Sequence, residues 1–160
     1  MEAAFHDVTA HERLAYQNVV TSRATIHYSE LAEHVDRFVS RIAAKGYDPT
    51  GPFFYSLNNV PMEELVDIEM FLPIQQHTFH AEEGLVFHSY FEVSPLLRGV
   101  VKGDLENQTE LVYAHLLATA ESNDWQINSP FYHLPQRDVS GYALVFVGYT
   151  ESGPPADADR

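Results

Sequence analysis

Apolar residues recur at helical spacing in two places along the chain: Val35, Phe38, Val39 and Ile42 in the first half, and Tyr113, Leu116, Leu117 and Ala120 in the second. Residues three and four apart share one face of a helix, so each set predicts a helix with a buried stripe. Ser29 is a favoured N-cap for the first helix and Gly46 a favoured stop; the second follows the polar run DLENQT and ends near Asn123. Around the helices the pattern changes to β-rich segments of strand length, RLAYQNVVTSR, ELVDIEMFLPI, GLVFHSYFEVSPLLRGVV and YALVFVGYT. Pro95 interrupts the third of these, where a bulge or bend is expected.

At the 78-position offset between Pro52 and Pro130 the two helical stripes superpose. Phe53 then falls on Phe131, Phe54 on Tyr132, Tyr47 on Trp125, and Val66 and Ile68 on Leu144 and Phe146. Each half reads strand, helix, strand, strand. The expectation is one α+β domain over residues 12–150, built from two pseudo-symmetric halves of about 12–75 and 84–150. Its antiparallel sheet carries helices on one face and a cleft on the other. Gly51-Pro52 and Ser129-Pro130 are expected to open the strand after each helix, where a proline removes no ladder hydrogen bond. Asn58-Asn59 before Val60-Pro61 reads as a turn. Residues 1–11 read as an N-terminal extension, and 151–160 (ESGPPADADR from residue 151) as a disordered acidic tail with nothing to bury.

The segment LVDIEMFL places chemistry by parity, because successive side chains of a strand point to opposite faces. Val66, Ile68, Met70 and Leu72 form an aliphatic face that belongs under the helices. Leu65, Asp67, Glu69 and Phe71 form the other, with two carboxylates between apolar groups. A carboxylate there either pairs with a cation on a solvated face or, desolvated among aromatics, serves as counter-ion or general base. Glu69 is the preferred ligand-binding residue, with Asp67 and Phe71 beside it and Tyr55, Tyr90, His133 and Tyr149 as possible walls. His133, the repeat mate of Tyr55, could add a contact that switches with protonation near neutral pH.

Charge and composition narrow the partners. The chain has 160 residues and a formal net charge of −14, which repels nucleic-acid backbones and anionic membranes and steers in a cationic ligand or a basic protein. There is no cysteine, hence no disulfide framework, no thiolate nucleophile and no cysteine-based zinc site. No signal peptide and no spanning segment of about 20 apolar residues is legible, so the expected location is cytoplasmic. His77 and His80 form an H-x-x-H pair, but in a turn-rich connection without a third ligand; no metal and no cofactor is expected. Nucleophile-elbow, phosphate-loop and dinucleotide motifs are absent from the sequence.

The paired strand-helix-strand-strand pattern, the Gly-Pro-aromatic opening of GPFFYSLNNVP and above all VDIEMFLPI resemble the GyrI-like domain. That domain is the effector-binding module of multidrug-responsive bacterial transcription regulators and also occurs as stand-alone proteins. The resemblance covers about residues 12–150, and Asp67, Glu69 and Pro73 match the third strand of the family. It implies a cleft away from the helices where an acid among aromatics binds lipophilic cations; some relatives hydrolyse strained small molecules with a glutamate. The wording is most similar to small uncharacterised stand-alone bacterial members, some encoded beside toxins of the type VII secretion system. Two departures count. Only about a dozen residues precede the first strand, so no DNA-binding helix-turn-helix is expected ahead of the domain. Val147 stands where the second half would need an acid, so a two-carboxylate mechanism is unsupported. The expected function is non-catalytic binding of an apolar, cationic small molecule. The alternatives are an adaptor or chaperone for a basic protein partner, such as a secreted toxin, and a hydrolase using Glu69.

Overall fold

The computed structural model describes residues 8–58, 64–103, 105–136 and 142–151. The first seven residues of the N-terminal extension, the turn at residues 59–61 and the tail from residue 152 onward lie outside the described residues. Among the described residues the order is β1 (Thr9–His27), α1 (Leu31–Ala44), β2 (Phe54–Leu57), β3 (Leu65–Pro73), β4 (Val86–Lys102), α2 (Leu105–Ser122), β5 (Trp125–Pro135) and β6 (Tyr142–Glu151). The protein is α+β, and the strands within it pair antiparallel.

The chain forms two compact units. One contains Leu14–Val93 and Pro130–Pro135. In it β3 runs antiparallel to β1 (Val19↔Pro73 through His27↔Leu65) and to β2 (Phe54↔Phe71 through Leu57↔Ile68), and β2 pairs with β5 (Tyr55↔His133 through Leu57↔Phe131). Val66, Ile68, Met70 and Leu72 pack with Phe38 and Ile42 of α1 in one buried cluster, as the parity of β3 requires. Among the described residues the other unit contains 8–13, those between Ser94 and Ser129, and those from Gln136 to Glu151. There β4 pairs with β6 (Leu96↔Gly148 through Lys102↔Tyr142), and α2 buries Val112, Tyr113, Leu116 and Ala120.

Several boundaries differ from expectation for local reasons. A short 3-10 turn, Tyr28–Glu30, precedes α1; it is capped by His27, whose Nδ1 accepts from the Ser29 backbone N–H, so Ser29 is inside the turn rather than its cap. Gly46 does end α1, with a left-handed φ of 89° that a side chain would resist. Helix α2 starts at Leu105 and takes up residues 105–109 of the polar run instead of following it. Leu117, grouped by the sequence with the buried stripe, is 45% exposed. Pro130 lies within β5, not at its start. Proline offers no N–H, and beside it Ser129 joins the strands through its side chain: the Gly148 N–H donates to Ser129 Oγ at 2.7 Å.

Candidate ligand-binding face

The face of β3 turned away from α1 is extended by its neighbours, because antiparallel Cα partners project to the same side. The register places Arg23 of β1, Glu69 of β3, Ser56 of β2 and Tyr132 of β5 in one transverse row. The adjacent row holds Thr21, Phe71 and Phe54. One row is mainly polar and the other mainly aromatic, and Tyr132 of the first meets Phe71 of the second.

The aromatic row is close-packed. Phe54 and Phe71 stack with centroids 4.6 Å apart, and Phe91 lies 5.0 Å from Phe71. Tyr132 meets Phe71 at 6.1 Å and Phe91 edge-on at 6.1 Å. Phe54 and Phe71 are buried, so these rings form a filled floor. Thr21, also buried, has its Oγ1 3.4 Å from His88 Nε2.

In the polar row the charges sort themselves. Arg23 makes a two-point bridge to Asp67, Nε to Oδ1 at 3.0 Å and a terminal nitrogen to Oδ2 at 2.7 Å. The Arg23 hydrogen bond holds the Asp67 carboxyl below its usual range, and the same bond raises the guanidinium. Among the described residues no hydrogen bond or ion pair reaches the half-buried Glu69 carboxylate; it acts on its neighbours only through its field, on Arg23 and on Tyr132. Burial, reinforced by the Glu69 charge, pushes the Tyr132 phenol up to about 12, so it stays a neutral O–H beside an anion. Asp67 lies one row on, level with Thr25, and its bridge to Arg23 occupies the cation that stands beside Glu69.

The structure sorts the expected site residues into groups. Glu69, Asp67 and Phe71 share this face, as parity predicts. Tyr55 and His133 do not: they are Cα partners of the alternate parity, stacked at 4.9 Å and 6° on the α1 side, where Tyr55 packs on the core. Burial pushes His133 down to about 4, which removes the expected switch near neutral pH, and raises the Tyr55 phenol. Tyr149 belongs to the other compact unit, buried flat against Trp125 at 4.3 Å, with its hydroxyl accepting from the His11 N–H at 3.1 Å. Tyr90 is 50% exposed and donates to Glu92 at 3.1 Å. Arg23, Ser56, Phe54, Phe91 and Tyr132 were not singled out for the site from sequence. The one signal was the repeat offset that superposes Phe54 on Tyr132, whose rings lie 6.5 Å apart.

Of the H-x-x-H pair, His77 Nδ1 lies 3.5 Å from Asn18 Nδ2, and the His80 backbone N–H donates to the Tyr47 hydroxyl. Among the described residues no group of three or more His, Cys, Asp or Glu is placed to hold a metal ion, and no helix is long and apolar enough to cross a membrane.

Residues 15–147 match a domain of unknown function, DUF5085, and the chain belongs to that family. No curated protein matches the sequence. Among solved structures the fold is similar to the EcmrR C-terminal domain, with a TM-score of 0.68 at 13% identity over 90% of this chain and 97% of that one. It is equally similar to EcmrR in its DNA complex in EcmrR-RPo, TM-score 0.71 at 13% identity over 94% of this chain; the chain spans 60% of the EcmrR chain there. A hydrolase encoded by lin2189 from Listeria innocua shares the fold at TM-score 0.56 and 7% identity, over 87% of this chain and 91% of that one. These likenesses show a common fold.

Proposed function

We propose that this chain is a ligand-binding module that takes a small, largely apolar cation on the face carrying Glu69. The observation that carries the reading is the Glu69 carboxylate, which among the described residues has no hydrogen bond or ion pair, level with Arg23, Ser56 and Tyr132 and one row from the packed Phe54 and Phe71 rings. Asp67 is neutralised by Arg23, so Glu69 supplies the net charge. An apolar cation would gain the field of Glu69 and rest beside the partly exposed Phe91, with the buried rings as a rigid floor beneath. The GyrI-like resemblance of VDIEMFLPI and the shared fold with the EcmrR C-terminal domain support an effector-binding role, and the matching order of elements in the two halves supports their origin by duplication.

Thermal unfolding with tetraphenylphosphonium tests this reading. A ligand at about 100 times its Kd stabilises by roughly 2.7 kcal/mol. The expected result is a rise in Tm with the wild-type chain and none with Glu69→Gln at equal intrinsic stability. An equal rise in both chains would remove Glu69 from the site. The solved hydrolase of this fold keeps a second reading open, with Glu69 as general base. Turnover of a strained small substrate such as an epoxide, abolished in Glu69→Gln, would favour it.

A further inference from the structure

The two helices obey different rules on their outer sides. Helix α1 turns Glu33, Asp36, Arg37 and Ser40 to solvent, as a helix packed on one side should. Helix α2 does not. Leu111 and Leu117 are 48% and 45% exposed, and Ala114 and Ala118 lie between them on the same side. Positions 111, 114, 117 and 118 are linked by three-, four- and seven-residue spacings, so they form one continuous apolar patch with small residues at its centre and leucines at its margins. Both leucines hold their places in solvent while Val112, Tyr113, Leu116 and Ala120 supply the buried side.

Beside the patch, a hollow of about 130 Å³ is lined by Gly99, Gln108, Leu111, Val112 and His115 among others, giving a protruding side chain a place next to the helix. Glu110 precedes the patch, and Glu121 and Asp124 follow it, all exposed. From Leu105 to Asp124 there is no Lys or Arg.

We infer that the outer face of α2 docks an amphipathic helix of a partner protein, one with an apolar stripe bordered by Lys and Arg. Alanines at the centre allow a second helix axis to come close, and the flanking leucines give ridges for it to pack between. The charge selects the occupant. A second copy of this chain would bring Glu110 and Glu121 against the same acids, on top of a net charge of −14 each. An anionic membrane is repelled by the same groups. A basic amphipathic helix meets neither obstacle, and its apolar stripe would cover leucines that otherwise stay wet.

The test uses the whole chain and a fluorescein-labelled helical peptide of three Leu/Lys heptads, read by anisotropy at about 0.15 M salt, where exposed charges beyond about 8 Å are screened. Expected is saturable binding that weakens roughly tenfold or more in Leu111→Gln/Leu117→Gln. Val86→Gln, which alters an equally exposed apolar residue elsewhere, should bind like wild type. Circular dichroism melts of all three chains should coincide, since every altered side chain is exposed. Equal affinity of wild type and the double variant would overturn the inference, because attraction would then be charge alone. Equal binding of a Leu/Glu peptide would overturn it too. So would a dimer in sedimentation, or retention on phosphatidylglycerol vesicles, that the double variant abolishes.

Discussion

The Tyr55 ring lies flat on the His133 imidazole, 4.9 Å between centroids and 6° from parallel, on the core side of β2 and β5. Burial holds His133 down to about 4, against an ordinary value of 6.5. Between those values the unfolded chain binds a proton that the folded chain does not, so stability rises with pH through this window and falls on acidification. For this one group the loss between pH 7 and pH 5 is about 2 kcal/mol. Urea unfolding of wild type and His133→Phe at both pH values measures it: the phenyl ring keeps the stack, and the variant should lose about that much less. Identical acid losses would show that the imidazole titrates normally.

Arg23 serves Asp67 but also lies beside Glu69, so the bridge restrains a cation that would otherwise cancel the Glu69 charge. Arg23→Gln is expected to tighten tetraphenylphosphonium binding, and Asp67→Asn to weaken it by releasing Arg23 toward Glu69. Isothermal titration of the two variants should move Kd in opposite directions. Movement in the same direction would mean that Glu69 does not sense the bridge.

Phe54 and Phe71 floor the candidate site and are almost fully buried. Removing either ring leaves a cavity among aromatics that cannot collapse into it. Phe54→Ala and Phe71→Ala should each cost about 3–5 kcal/mol in urea unfolding. Tyr90→Ala, at an exposed position, should stay within about 0.5 kcal/mol.

Gly99 marks where α2 presses on β4. A methyl group there would sit 2.6 Å from Val112 Cγ1 and 3.4 Å from Leu116 Cδ2. Valine is branched at Cβ and cannot swing clear without leaving its rotamer. Gly99→Ala should therefore destabilise by about 1–3 kcal/mol, and adding Val112→Ala should restore part of the loss. Thermal melts of the single and double variants check this; additive losses would show that the methyl clashes elsewhere.

Elements with a strong local period could be read from the chain alone. The 3.6-residue spacing of Phe38 and Ile42 fixed α1 and its buried side, and Gly46 fixed its end through a backbone angle that only glycine adopts freely. The alternation in VDIEMFL put Val66, Ile68, Met70 and Leu72 in the core and left Asp67, Glu69 and Phe71 together. Parity belongs to a single strand, so one sequence suffices for it. Register between strands does not, because it is set by how whole faces pack. Tertiary pairing alone decided that Ser56 and Tyr132 stand level with Glu69, that Arg23 claims Asp67, and that Tyr55 and His133 turn to the other side. Tertiary packing also brought Phe91 onto Phe71, a contact between residues that share no local pattern.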